Sequence, residues 1–200
     1  MSTIKVFLAG EFTDNEVNAV IGGLQQIANL LPRRSIEIGG NGNALVSRIV
    51  ASAKYRISEY GKQILLTDVA NKVLNSGLQD NPNDIVIVIS SYDLYEEGYN
   101  FVFGSAYPRY GICFDSVARY RDLSKSDQRL TIEWLIRHEL GHLCGLVPTG
   151  RRHTEEKGGT HCTNYGCTMR QGWSLNEAVI RAREIRETHY FCNECLRDLG

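Results

Sequence analysis

The chain has 200 residues, 42% hydrophobic and 22% charged, which is the length of about one domain and an ordinary globular composition, not a disordered or fibrous one. Lys plus Arg number 22 against 23 Asp plus Glu, a formal charge of -1, and no basic run exceeds Arg151-Arg152, so a nucleic-acid partner is not expected. The longest strongly apolar run, Ile85 to Ile89, is far too short to span a membrane, and Val6 to Gly10, followed at once by Glu11, is too short for a secretory segment. The expectation is a cytoplasmic protein, monomeric by default, that acts in catalysis or protein recognition.

In chain order, Ile4 to Ala9 predicts an opening strand, and Val17, Val20, Ile21, Leu24 and Ile27 recur at helical spacing behind Asp14, a candidate N-cap. A second strand is predicted around Lys54 to Ser58. Lys62 to Asn75 reads as a helix through Ile64, Leu65, Val69, Val73 and Leu74, ending before Gly77. Asp84 to Ser90 is a continuous β-branched run that suits a strand covered on both faces, with Asn100 to Gly104 as a shorter neighbour. Strands alternating with helices indicate an α/β fold. From Ser124 or Ser126 the pattern turns helical through Leu130, Trp134, Leu135, His138 and His142, with Gly145 as a stop. A polar stretch from Thr149 to Thr160 follows, whose Arg151, Arg152, Glu155, Glu156 and Lys157 read as a solvated loop. A last helix begins at Ser174, with Glu177 completing a capping box.

His138-Glu139-Leu140-Gly141-His142 is an H-E-x-x-H. On a helix the i,i+4 spacing stacks two imidazoles on one face, where both can reach one tetrahedral ion. Glu139, beside the first ligand, can take a proton from a water that the ion activates, since zinc lowers such a water's pKa to roughly 7. Gly145 extends the pattern to H-E-x-x-H-x-x-G, in which a sharp turn returns a third ligand. The short return would place that ligand at residue 148, which is Pro148, so it must come from farther along. His153 and His161 are the candidates, with Glu155 and Glu156 as weaker oxygen donors.

A second cluster favours His161. Cys162 and Cys167, with the C-x-x-C pair Cys192 and Cys195, can complete a closed four-thiolate zinc site that pins the turn holding His161 to the C-terminal end; the alternative is two disulfides or four unrelated thiols. Cys113 and Cys144 fit neither site and read as small buried residues. Two zinc ions per chain are therefore expected, one catalytic and one structural.

With these residues assembled, roughly residues 84–195 resemble the archaemetzincins, zinc peptidases of the metzincin clan. His161-Cys162, four residues, Cys167, one residue and Met169 is similar to a block that in that family supplies the third zinc ligand, two structural-zinc cysteines and the methionine under the catalytic metal. Asp93-Leu94-Tyr95 with Asn100-Phe101-Val102-Phe103-Gly104-Ser105-Ala106 is similar to a second family stretch, a strand on the upper rim of the cleft. The resemblance implies a zincin-like α+β fold, with an N-terminal subdomain over 1–145 that holds the active-site helix and a C-terminal subdomain over 146–200, substrate lying between them. It also implies hydrolysis of a peptide or protein, with Asn100, Phe101, Val102, Phe103 and Gly104 as a strand that an extended substrate could join. The third His stands thirteen residues later than in the family pattern, which makes Thr149 to Thr160 an inserted loop beside the metal. A competing reading is a non-catalytic or latent zinc protein whose inserted loop closes the metal site, through His153 or Glu155.

Overall fold

Alternation along the strands decides the layering. The computed structural model describes residues 2–28, 30–31, 34–39, 42–185 and 189–199. The chain runs through β1 (Ser2–Ala9), α1 (Asp14–Ala28), β2 (Arg34–Ile38), α2 (Gly42–Ala51), β3 (Tyr55–Ser58), β4 (Gly61–Leu65) and α3 (Leu66–Leu74). Then come β5 (Ile85–Ser90), β6 (Asp93–Tyr95), β7 (Gly104–Tyr107), β8 (Ile112–Ser116) and α4 (Lys125–Leu143), followed by β9 (Thr154–Glu155), β10 (His161–Cys162), α5 (Leu175–Glu184) and α6 (Asn193–Asp198).

The main sheet has the order β2-β1-β5-β8-β7. All its pairings are parallel except the last, so β7 is an antiparallel edge strand. Every residue of β5 is buried, as expected of a parallel strand covered on both faces. Ile85, Ile87 and Ile89 pack with Ile4, Val6, Leu24 and Ile132 under α1 and α4, whereas Val86 and Val88 pack with Phe7, Val46, Val69 and Val73 under α2 and α3. The α/β expectation is met, with a mixed sheet between helical layers.

Several local expectations are corrected. The cap of α1 is Thr13, not Asp14: its Oγ1 accepts from Glu16 N at 3.3 Å, and Glu16 Oε2 accepts from Thr13 N at 2.7 Å, a reciprocal capping box. Lys62 to Leu65 is not helical. It belongs to β4, which pairs antiparallel with β3 from Tyr55↔Ile64 to Ser58↔Gly61 and parallel with β6; the cross-strand partners outweigh a short run whose period is ambiguous. Asn100 to Phe103 is not a regular strand: Val102 forms a single bridge to Leu94, and the strand begins at Gly104. Strands β2 and β8 escaped the sequence reading, and α5 is followed by one more short helix.

Candidate metal centre and active-site cleft

Ser124 starts the helix that carries the chemistry, its Oγ accepting from Asp127 N at 3.2 Å. Residues Thr131 to Gly141 of α4 are all buried, because the helix lies between the main sheet and the C-terminal elements, and a helix covered all round shows no single apolar stripe. Two of its charged members have partners, Glu133 with Arg129 at 2.8 Å and Arg137 with Gln26. At the far end Gly145 adopts φ +85°, a left-handed turn that glycine takes without a Cβ clash.

His138 and His142 bring their Nε2 atoms within 3.3 Å of each other. The ring of His161, on β10, lies 5.2 Å from that of His138 and 5.1 Å from that of His142, centroid to centroid. One nitrogen from each of the three lies within 4.8 Å of the others, and zinc bound tetrahedrally at 2.0–2.1 Å sets its nitrogen ligands about 3.4 Å apart. The donor set fits zinc. Thr168 O faces His138 Nδ1 at 2.8 Å and also accepts from Trp134 Nε1 at 3.1 Å; a carbonyl can only accept, so Nδ1 carries the proton and Nε2 is left as the donor to a metal. Burial, reinforced by repulsion from the other two rings, holds His138 well below its ordinary pKa. Burial and His161 push His142 down to about 3, and burial lowers His161 as well. All three are neutral imidazoles, the form that binds a metal.

Met169 is wholly buried against this helix, and a Cβ built on Gly141 would stand 2.5 Å from its Sδ. Glycine between the two histidines is what lets the methionine approach. Glu139 is buried as well, which pushes its carboxyl up to about 8. Beside it, Asp115 is fully buried with no hydrogen-bond partner on either oxygen among the described residues, and burial followed by the Glu139 charge raises its pKa well above the ordinary value.

Glu139 lines two cavities, of about 410 and 360 Å³, that also share Gly104, Ser105, Gly158 and Gln171. The larger is walled by Leu66, Phe101, Phe103, Trp134 and Trp173. The smaller contains His142 and His161. Neither Trp134 nor Trp173 was legible as a wall residue, since nothing in the local sequence sets them apart from core aromatics.

The four cysteines converge separately. Cys162 Sγ lies 3.7 Å from Cys192 Sγ and Cys167 Sγ 3.5 Å from Cys195 Sγ, close to the roughly 3.8 Å between sulfurs on tetrahedral zinc with Zn–S near 2.3 Å. All six cysteines are free thiols, Cys113 buried and Cys144 half-buried at the end of α4. Hydrogen bonds from Cys167 and Cys195 favour the thiolate at Cys162, and the bond to Cys162 pushes Cys167 up to about 12. Four sulfurs this close cannot all ionise without a cation among them. The reading of Arg151 as solvated is corrected: its side chain is half-buried and pairs with Asp198 at 2.6 Å. His153 is taken up by Glu194 at 3.0 Å, and neither it nor Glu155 joins the three-histidine group.

The profile of peptidase family M54 matches residues 48–200. The chain belongs to this family. It is 32% identical over 120 residues to the archaemetzincin of Pyrococcus furiosus, covering 57% of this chain and 53% of that one. With the archaemetzincin of Nanoarchaeum equitans it shares 32% over 130 residues, 65% of this chain and 61% of that one. The chain thus spans little more than half the length of these curated relatives. The fold is that of the crystal structure of archaemetzincin from Methanopyrus kandleri, with a TM-score of 0.68 at 22% identity over 99% of this chain and 93% of that one. No described helix is long and apolar enough to cross a membrane.

Proposed function

We propose that this M54-family chain is a zinc-dependent peptidase whose metal is held by His138, His142 and His161, with Glu139 as general base. The observation that carries the reading is the convergence of three neutral imidazoles beside the buried Glu139 carboxyl, which lines both cavities. Zinc held there would acidify a water and polarise the scissile carbonyl. Glu139 accepts the proton of the attacking water and returns it to the leaving amine. His138 is kept in the required tautomer by Thr168 O. Met169 packs against Gly141, between the two histidines of α4, as the floor of the site. The substrate is a peptide or protein in extended form along the edge that begins at Gly104, because β7 has β8 on one side and Ser105 lines both cavities on the way past Glu139. The larger cavity, walled by Phe101, Phe103 and Trp173, suits a large apolar side chain.

A second zinc on Cys162, Cys167, Cys192 and Cys195 is the structural one. The division at residue 145 into a sheet-bearing part and a part stapled by this site follows from the same reading, and the free thiols suit a reducing, cytoplasmic setting. The loop-closed alternative is not favoured, since no side chain of the segment 149–160 joins the three histidines among the described residues. The test is Glu139→Gln. The variant should retain zinc and lose peptide hydrolysis by about 10²–10⁴-fold, the usual range for a positioned base. Hydrolysis at the wild-type rate overturns the mechanism.

A further inference from the structure

Arg151 lies in the stretch from Thr149 to Thr160, read from the sequence as an inserted loop beside the metal, yet it is built into the cysteine cluster. Its Nη1 donates to Cys195 Sγ at 3.3 Å and to Asp198 Oδ2 at 2.6 Å. Asp198 Oδ2 accepts in addition from Val147 N at 3.0 Å, at the exit of the active-site helix. The other three sulfurs receive neutral donors: Asn164 N to Cys162 at 3.4 Å, Asn164 Nδ2 to Cys192 at 3.3 Å, and Cys192 N to Cys167 at 3.5 Å. Each sulfur therefore has one N–H, and the charged donor goes to Cys195.

A cationic donor to Cys195 suits sulfurs that carry charge. Four thiolates around a divalent ion leave two net negative charges in a pocket where Cys162, Cys167 and Cys195 are at most 1% exposed, and buried charge without compensation is strongly unfavourable. Asp198 orients the guanidinium and holds the helix exit; it cannot offset the charge on the sulfurs.

We infer that Arg151 is the positioning, charge-compensating residue of the four-cysteine metal site, so that the inserted segment is anchored through the structural site. The inference rests on the reading of the four cysteines as a zinc site. It also explains where the rest of the segment goes. His153, two residues on, bonds Glu194, and Glu194 accepts from Asn164 at 2.7 Å, so a second tether runs to the same cluster. Anchored there, the segment sets Lys157 over the Trp173 ring at 4.6 Å and brings Gly158 into the cleft wall.

The experiment uses the full chain loaded with cobalt(II), whose four-sulfur site gives a thiolate-to-metal charge-transfer band that three histidines do not give. Chelator competition followed on that band measures the affinity of the cysteine site alone, without reference to peptide hydrolysis. Arg151→Gln should weaken cobalt retention by about 10–100-fold, the usual effect of losing an outer-shell partner. Arg151→Lys, which keeps the charge but not the fork, should hold the metal within about fivefold of wild type. Asp198→Asn, which leaves the cation beside Cys195, should also stay within about fivefold. Unchanged affinity in Arg151→Gln overturns the inference, as does an Arg151→Lys or Asp198→Asn variant that loses metal as badly as Arg151→Gln. If Arg151→Gln does not fold, Arg151→Lys and Asp198→Asn still decide, since loss of the band in either refutes the charge role. A wild-type chain with no such band overturns the cysteine-site reading itself, while hydrolysis stays separately measurable.

Discussion

Replacing Gly141 by alanine sets two effects of similar size against each other beside the three-histidine group. In a helix interior the change from glycine favours folding by about 1 kcal/mol. Against it, the new Cβ falls 2.5 Å from Met169 Sδ and 3.1 Å from Leu146 Cδ1, well inside the roughly 3.5–4.0 Å of ordinary contact. Met169 is 0% exposed, so it has no solvent to retreat into, and overpacking of this kind costs about 1–3 kcal/mol. The net change is a loss of 0 to about 2 kcal/mol, a fall in melting temperature of up to about 8 °C for a chain this long. The functional effect should be larger. Met169 O accepts from Cys162 N at 2.9 Å, next to His161, and the carbonyl before it holds His138. A shift of about 1 Å in this turn therefore moves two of the three histidines, and misplacement by that distance costs about 10²-fold in rate. The assay is a thermal melt, zinc content and peptide hydrolysis on the same preparation, with Gly141→Ala/Met169→Ala as the relieving double variant. A single variant that melts higher than wild type and cleaves at the wild-type rate refutes the packing argument.

His161→Asn should abolish zinc binding at the histidine site, whereas His153→Asn should leave it intact; elemental analysis of the two variants checks this, and the opposite pattern would exchange their roles. Stripping metal with a strong chelator under reducing conditions should make residues 146–199 protease-sensitive before the main sheet, because zinc binding at a site of four thiolates is coupled to folding; limited proteolysis with mass mapping reads the order. Burial would raise the pKa of Glu16, but the Arg121 guanidinium at 2.8 Å and the bonds from Thr13 outweigh it and lower the value. Its stabilisation is therefore complete above the unfolded glutamate pKa of about 4.3 and fades as pH falls through the lower folded value. The stability of Glu16→Gln should accordingly fall less steeply than that of wild type across that acid range in urea titrations, and parallel curves would refute the assignment.

Much of the site was legible because its chemistry is written in short spacings. The i,i+4 pair His138 and His142 needs only a helix to converge, and the capped run from Ser124 supplies one. The block from His161 to Met169 is equally local, and the β-branched run Ile85–Ser90 announced a strand covered on both faces. Asn100 to Gly104 was misread, since a short apolar run carries no register and only the pairing of Gly104 with Asp115 shows where the strand starts. Lys62 to Leu65 failed for the same reason: its partners lie on β3 and on β6, and the latter is about 30 residues away.

The amino-acid sequence by itself determined the α/β class, the histidine pair with its neighbouring carboxylate, and the inventory of sulfur donors, because periodicity and spacing are properties of one stretch of chain. Only the tertiary structure decided that His161 and not His153 stands beside that pair, that Trp134 and Trp173 wall the cleft, and that Arg151 lies against Cys195. Each of those facts depends on which distant segment fills the remaining space around a buried polar group, and burial is a property of the whole fold.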